Sequence, residues 1–142
     1  MKAIAYNIKP NEKEWLVLAN YKKHDITIIA NSLSKETLAF VNGKEALLVF
    51  NQDKVDADLI AGLRANGIKY IATTSFTTDH IDLNAAALAG VKIANVPFED
   101  GANTSFEGMQ QVIKNLDQWA AGICVGSACA CALNCRAHKK EG

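Results

Sequence analysis

The sequence lacks cysteine before position 124, has only two arginines, Arg64 and Arg136, and shows no excess of either charge, 15 basic against 15 acidic residues. Zero net charge removes the sequence-independent attraction to phosphate on which nucleic-acid binders rely, so DNA and RNA are not expected partners. No apolar run approaches the roughly 20 residues that span a bilayer, and Met1 to Asn7 has no hydrophobic core of a secretory signal. A cytosolic protein with no membrane association is therefore expected. No long polar tract occurs either, and 49% of the 142 residues are hydrophobic, enough for one folded domain rather than a disordered chain. The chain also lacks any G-x-G-x-x-G, the turn that lets a pyrophosphate approach the backbone at a helix start.

What is present is a regular alternation. Five short apolar runs, Ala3–Tyr6, Ile26–Ala30, Ala46–Phe50, Tyr70–Thr73 and Val91–Val96, mostly lack strict two-residue alternation, as strands buried on both faces do. Between them stand helix signals: Asn11 with Glu14, Ser34 before Leu38, and Asp56 before Leu59, Ile60 and Leu63. Gly43, Gly67 and Gly90 each stop a helix just before the next strand. The order β-α-β-α-β-α-β-α-β predicts an α/β fold, a five-stranded parallel sheet of flavodoxin-like order 2-1-3-4-5 with helices on both faces.

A last helix, from about Ser105 to Ala121, carries Phe106, Met109, Val112, Ile113, Leu116, Trp119 and Ala120 on one face, a core stripe. Thr104 is placed to cap it, with Glu107 completing a capping box, and Gly122 ends it. Residues 1–122 thus read as the domain and 123–142 as an appended tail rich in cysteine.

Ligands of an open parallel sheet sit beyond the carboxyl ends of its strands. After the first run, Asn7-Ile8-Lys9-Pro10 offers neither the acidic pair of a phosphorylation receiver nor a Ser/Thr-rich phosphate loop. After the fourth, Thr74-Ser75-Phe76-Thr77-Thr78-Asp79-His80-Ile81-Asp82 is rich in hydroxyls and leads into a helix start that favours an anion. The alternative is a self-bonded Ser/Thr loop in which Asp79 caps the helix.

The stretch Ile68 to Leu83, with Val91-Lys92-Ile93-Ala94-Asn95-Val96-Pro97 behind it, resembles the substrate domain of D-2-hydroxyacid dehydrogenases, the D-lactate dehydrogenase group especially; Met1 to Asn7 and Phe50 to Ala61 fit as well. In that family the chain leaves after the Asn-Val-Pro run, builds an NAD-binding Rossmann domain, and returns with a helix that carries Asn-Leu-Asp and then Trp. Here Asn115-Leu116-Asp117-Gln118-Trp119 matches that helix, and only six residues, Phe98 to Asn103, separate Pro97 from Thr104. A Rossmann domain needs on the order of 100–200 residues. The resemblance therefore implies a substrate domain, 1–97 plus the returning helix 104–122, with no NAD site of its own.

The same resemblance implies that the Arg, His and Glu of hydride transfer come from the skipped region, and neither Arg64 nor Arg136 stands where that role needs one. His80 reads as a helix-start residue rather than a proton donor. Where the family has Arg-Ser-Ala-Gly, this chain has Thr74-Ser75-Phe76-Thr77, so Ser75, Phe76, Thr77 and Thr78 remain as the candidate contacts for a small carboxylate. Phe50, Phe76 and Phe98 fall at carboxyl ends of strands. They either plug the old cleft or form a contact patch for a second copy or a partner dehydrogenase.

The four cysteines, Cys124, Cys129, Cys131 and Cys135, form C-x4-C-x-C-x3-C, a set that could close a zinc site or ligate an iron–sulfur cluster. Two disulfides or unmodified thiols are the alternatives. Three functions stay open from sequence: a dehydrogenase-like domain that binds a small carboxylate without hydride chemistry, a small metal or redox protein working through its tail, and a subunit that complements a full-length dehydrogenase.

Overall fold

The structure is a computed structural model, and it describes residues 1–98 and 104–131. Five parallel strands, β1 (Lys2–Ala5), β2 (Asp25–Ile28), β3 (Ala46–Val49), β4 (Tyr70–Thr73) and β5 (Lys92–Ala94), pair in the order β2-β1-β3-β4-β5. Helices α1 (Pro10–Asn20), α2 (Ala57–Ala65), α3 (Leu83–Ala89) and α4 (Phe106–Ala120) connect and cover them, and a 3-10 helix, Lys35–Val41, joins β2 to β3. The expected fold class and strand order are those observed. The expected second helix is a 3-10 turn instead, because Thr37 bonds back to the carbonyls of Ser32 and Ser34 and competes with an α-helical ladder.

Each strand turns alternate residues to two separate cores. Ala3, Ala5, Ala46, Ala72 and Ala94 face one side, where their small volume admits Met109, Leu116 and Trp119 of α4 with Leu16 of α1. Ile4, Leu47, Val49, Ile71 and Ile93 face the other, filled from the helix side by Leu59, Ile60 and Leu63 of α2 and Ala86 of α3. Small sheet residues therefore oppose large helix residues on the first face, while on the second branched aliphatic residues pack from both sides. On the second side the fit is close: a Cβ on Gly62 would stand 2.6 Å from Leu38 Cδ1, so a larger residue there would displace the end of the Leu38 side chain. The predicted stop at Gly90 is a left-handed cap of α3 with φ +75°.

Helix starts differ from expectation by one to three residues. Pro10 takes the first position of α1, where a missing N–H is harmless, and Glu12 rather than Glu14 accepts from the Lys9 N–H at 2.9 Å. Ser105 rather than Thr104 caps α4, its Oγ accepting from the Gly108 N–H at 3.0 Å. Thr104 instead pairs its hydroxyl with that of Thr74 at 3.2 Å.

Helix α4 is pinned to the sheet through its second half by the run flagged in sequence. Asn115, fully buried, donates to the Asn95 carbonyl beyond β5 at 3.1 Å. Asp117 accepts from His24 Nε2 at 2.7 Å and pairs with Lys23 at 3.4 Å, just before β2. Trp119 stacks on Tyr70 with ring centroids 4.8 Å apart.

The cysteine-rich segment follows Gly122, and its described part, residues 123–131, is folded onto the sheet. Val125, Ala128 and Cys129 join the α1/α4 core. Cys129 bridges antiparallel to Ala94, with Asn95 N–H donating to Ala128 O at 2.9 Å and Ala130 N–H to Ile93 O at 3.0 Å. This segment therefore covers the β5 edge.

Candidate functional site

The strand order reverses between β1 and β3, which places a crevice at their carboxyl ends. Asn7, just past β1, takes a left-handed φ of 57° and donates its N–H to Asn31 O at 2.8 Å. Its side chain donates to Asp53 Oδ1 at 3.4 Å, while Asp53 Oδ2 accepts from the Phe50 N–H at 2.8 Å. Asp53 is 4% exposed, and burial raises its pKa above the usual carboxylate value against the opposing pull of those two hydrogen bonds. A cavity of about 110 Å³ opens beside it, lined by Asn7, Lys9, Glu12, Asn51, Gln52 and Thr104. Neither Asn7 nor Asp53 was singled out from sequence as a site residue; an Asp three residues after a strand's last aromatic is a turn signature that could have flagged it.

Phe50 is a correction to the expected aromatic patch. At 4% exposure it packs into the core because the turn closed by Asp53 directs its side chain inward. Phe76 and Phe98, in contrast, are 48% and 58% exposed.

Beyond β4 the hydroxyl-rich loop is wired internally. Ser75 Oγ donates to the Thr77 carbonyl at 2.8 Å, which cannot donate in return, so Ser75 accepts from Thr73 Oγ1 at 2.7 Å. Thr73 has then used its proton, and it accepts from the Ser75 N–H at 3.3 Å and from His80 Nε2 at 3.0 Å. His80 thus carries its proton on Nε2. Burial holds its pKa below the ordinary imidazole value, with Asp79 pulling weakly the other way. Ser75 is no activated nucleophile, since its partner chain runs from imidazole to hydroxyl to carbonyl and no base receives its proton.

The cap of α3 is Asp82, which accepts from the Ala85 N–H at 3.0 Å, and not Asp79 as sequence suggested. Asp56 caps α2 in the same manner, accepting from Leu59 N–H at 2.9 Å.

Ser75, Phe76, Thr77 and Thr78 do lie together at the carboxyl end of β4. Asn95 Nδ2 donates to the Phe76 carbonyl at 2.8 Å, and Val96 N–H donates to the Ser75 carbonyl at 3.0 Å, so β5 fixes the loop. Asn95 Oδ1 is buried there without a hydrogen-bond partner among the described residues. The N–H groups of Phe76, Thr77 and Thr78 have no acceptor among the described residues. No arginine reaches this loop among the described residues, because Arg64 donates its Nε to Ala89 O at 3.1 Å, tying α2 to α3.

The cysteines do not converge on a metal site in the described part. Among the described residues no group of three or more His, Cys, Asp or Glu is placed to hold an ion. Cys131 Sγ lies against the backbone of Ile93, 3.4 Å from its N and 3.7 Å from its O, while Cys129 is buried on the sheet edge. Cys135 lies outside the described residues. Cys129 and Cys131 pack and pair against β5.

Residues 3–105 match the family model for the D-isomer specific 2-hydroxyacid dehydrogenase, catalytic domain. The chain belongs to this family. It is 36% identical over 99 residues to the 2-hydroxyacid dehydrogenase homolog 1 of Schizosaccharomyces pombe, a match that takes 68% of this chain and 30% of that protein. Against the D-lactate dehydrogenase of Escherichia coli the identity is 30% over 101 residues, 70% of this chain and 31% of that one. The apo structure of D-lactate dehydrogenase from Escherichia coli superimposes with a TM-score of 0.66 at 30% identity, over 68% of this chain and 31% of that chain. The 2-hydroxyacid dehydrogenase likeness is thus confined to about 30% of those relatives' lengths. No helix among the described residues is long and apolar enough to cross a membrane.

Proposed function

We propose that this chain is a 2-hydroxyacid dehydrogenase catalytic domain that binds a small carboxylate at the β4–α3 loop and carries out no hydride transfer by itself. The observation that carries the reading is the spacing after β5: six residues separate Pro97 from Thr104. A dinucleotide-binding domain of about 100–200 residues has no place there. Relatives named as D-lactate dehydrogenases and as an aromatic 2-oxoacid reductase point to a 2-oxo or 2-hydroxy acid as the ligand class.

At the loop, where Ser75, Phe76, Thr77 and Thr78 lie together, Phe76, Thr77 and Thr78 would meet the carboxylate through backbone N–H groups, because the Ser75 N–H and the hydroxyls of Thr73 and Ser75 are occupied. Without an arginine clamp, such binding lacks the bidentate pairing of two opposite charges that fixes a carboxylate most firmly. His80, neutral and committed to Thr73 through Nε2, positions the loop and donates no proton to a ligand.

The exposed Phe76 and Phe98 favour a second role at the same face, the docking of a dehydrogenase subunit that brings its own nicotinamide. The expected cytosolic address belongs to the same reading, since nicotinamide pools and reduced thiols occur there together.

Amide NMR with pyruvate or D-lactate tests the carboxylate reading. Shifts concentrated at Phe76, Thr77 and Thr78, with no oxidation of added NADH, are the expected result. Unchanged amides at millimolar ligand, or steady NADH oxidation by the pure chain, would contradict it.

A further inference from the structure

The sequence holds two Asn-Gly pairs, Asn42-Gly43 after the 3-10 helix and Asn66-Gly67 after α2, each just ahead of a strand. In such a pair the glycine nitrogen can attack the asparagine side-chain carbonyl, because glycine has no Cβ to shield the nitrogen or restrict the peptide. The two pairs are chemically alike, and the fold treats them differently.

At Asn66 both reacting groups are tied down. Its half-buried side chain donates from Nδ2 to the Gly62 carbonyl at 2.7 Å, and the Gly67 N–H donates to the Arg64 carbonyl at 3.1 Å. The Asn66 N–H is shared between the Gly62 and Leu63 carbonyls at 3.2 and 3.1 Å, which fixes the residue itself.

At Asn42 neither group is held. Asn42, with φ −58° and ψ 127°, and Gly43, with φ +84°, form an exposed type II turn, closed by the Lys44 N–H donating to the Val41 carbonyl at 2.9 Å. The Asn42 side chain, the Asn42 carbonyl and the Gly43 N–H have no hydrogen-bond partner among the described residues. A ψ of 127° keeps the Gly43 nitrogen away from the side chain, so the peptide between the two residues must rotate before they react. Rotation breaks no hydrogen bond, and the space around it is open: a Cβ on Gly43 would meet nothing within 4 Å.

We propose that Asn42 is a self-modification site, where the Asn42-Gly43 pair closes to a succinimide in the folded protein and opens to aspartate and isoaspartate, while Asn66 keeps its amide. This assignment is independent of the proposed function. The Gly43 nitrogen loses its proton and bonds to Asn42 Cγ; the Cγ–Nδ2 bond breaks, and Nδ2 takes up a proton and leaves as ammonia. Water then adds to one of the two ring carbonyls and breaks that carbon's bond to nitrogen. Opening at Cγ gives aspartate, and opening at the main-chain carbonyl gives isoaspartate. One water enters, one ammonia leaves, and nothing is oxidised or reduced.

The two products differ in the backbone. Aspartate leaves the main chain of the turn unchanged, whereas isoaspartate routes it through the side chain and adds a methylene between Val41, which is fully buried, and Lys44. The turn then loses the dihedral angles that close the Lys44–Val41 bond. It leads into β3, a strand paired on both sides, so isoaspartate should loosen the sheet near its centre.

Ageing the full chain in mildly alkaline reducing buffer, followed by peptide mapping, tests the proposal. Trypsin releases the two pairs in separate peptides, 36–44 and 65–69. Peptide 36–44 should gain the mass of an amide-to-acid exchange and split into two isomers. It should do so at least about tenfold faster than peptide 65–69, because two hydrogen bonds must open before Asn66 can react. In denaturing urea the two should convert at similar rates. Equal rates in the folded chain, or an Asn42 amide that survives there while the denatured chain loses it, overturns the assignment. The isoaspartyl fraction should also unfold at lower urea than the Asn42→Asp variant, and coincident transitions would contradict the effect on β3.

Discussion

The carboxyl edge of the sheet has two halves built on opposite terms. At β1 and β3 the side chains turn inward around a small cavity of about 110 Å³: Phe50 is in the core, Asp53 is buried under two hydrogen bonds, and Asn7 turns left-handed to reach it. At β4 and β5 the hydroxyls are consumed internally, yet Phe76 and Phe98 face solvent and three successive N–H groups lack acceptors among the described residues. The first half is packed inward, and the second presents the exposed aromatic and amide groups on which the proposed ligand contact rests. Stability and binding should therefore respond to substitution in different places.

The largest effect should come from Phe50→Ala, which leaves a cavity in the α1/α4 core and should cost about 3–5 kcal/mol in urea unfolding. Phe76→Ala should change the same measurement by less than about 0.5 kcal/mol, as an exposed substitution does. Equal losses would erase the distinction between the halves.

Asp53→Ala strands the buried Phe50 N–H and should cost about 1–3 kcal/mol. Asp53→Asn keeps an acceptor and should read out pH instead. A carboxyl raised in the folded state binds its proton more tightly there, so its stabilising contribution is present below the unfolded pKa and lost as pH rises through the folded one. Denaturation curves of Asp53→Asn across mildly acidic pH should lack that decline.

His80 carries the opposite sign. Its folded pKa lies below the unfolded value, so its contribution is complete above the unfolded imidazole pKa and is lost as pH falls through the folded one. His80→Gln retains an N–H donor for Thr73 and should remove this acid loss with the smallest change at neutral pH. An unaltered acid limb in that variant would contradict the buried Nε2–H assignment.

Much of this division was legible in the residues, and what was missed has a physical reason. Runs such as Ala46–Phe50, apolar at every position, marked strands covered on both faces, and Asn115-Leu116-Asp117 with Trp119 marked the helix that locks onto both Asn95 and His24. Cap identity was displaced because adjacent residues, Thr104 and Ser105, are equally able acceptors, and tertiary contact with Thr74 decided between them. The Asn7–Asp53 contact joins residues 46 apart and leaves no periodic trace. The four cysteines cluster in sequence as a ligand set would, whereas the pairing of residues 128–130 with β5 joins positions more than 30 apart and leaves no sequence signal.

On the proposed reading, the six residues between Pro97 and Thr104 leave the domain with no nicotinamide site. Titration of the pure chain with NADH, followed by nicotinamide fluorescence, tests it most directly. No change in emission, with or without pyruvate, is the predicted result; saturable enhancement with micromolar affinity would contradict the account.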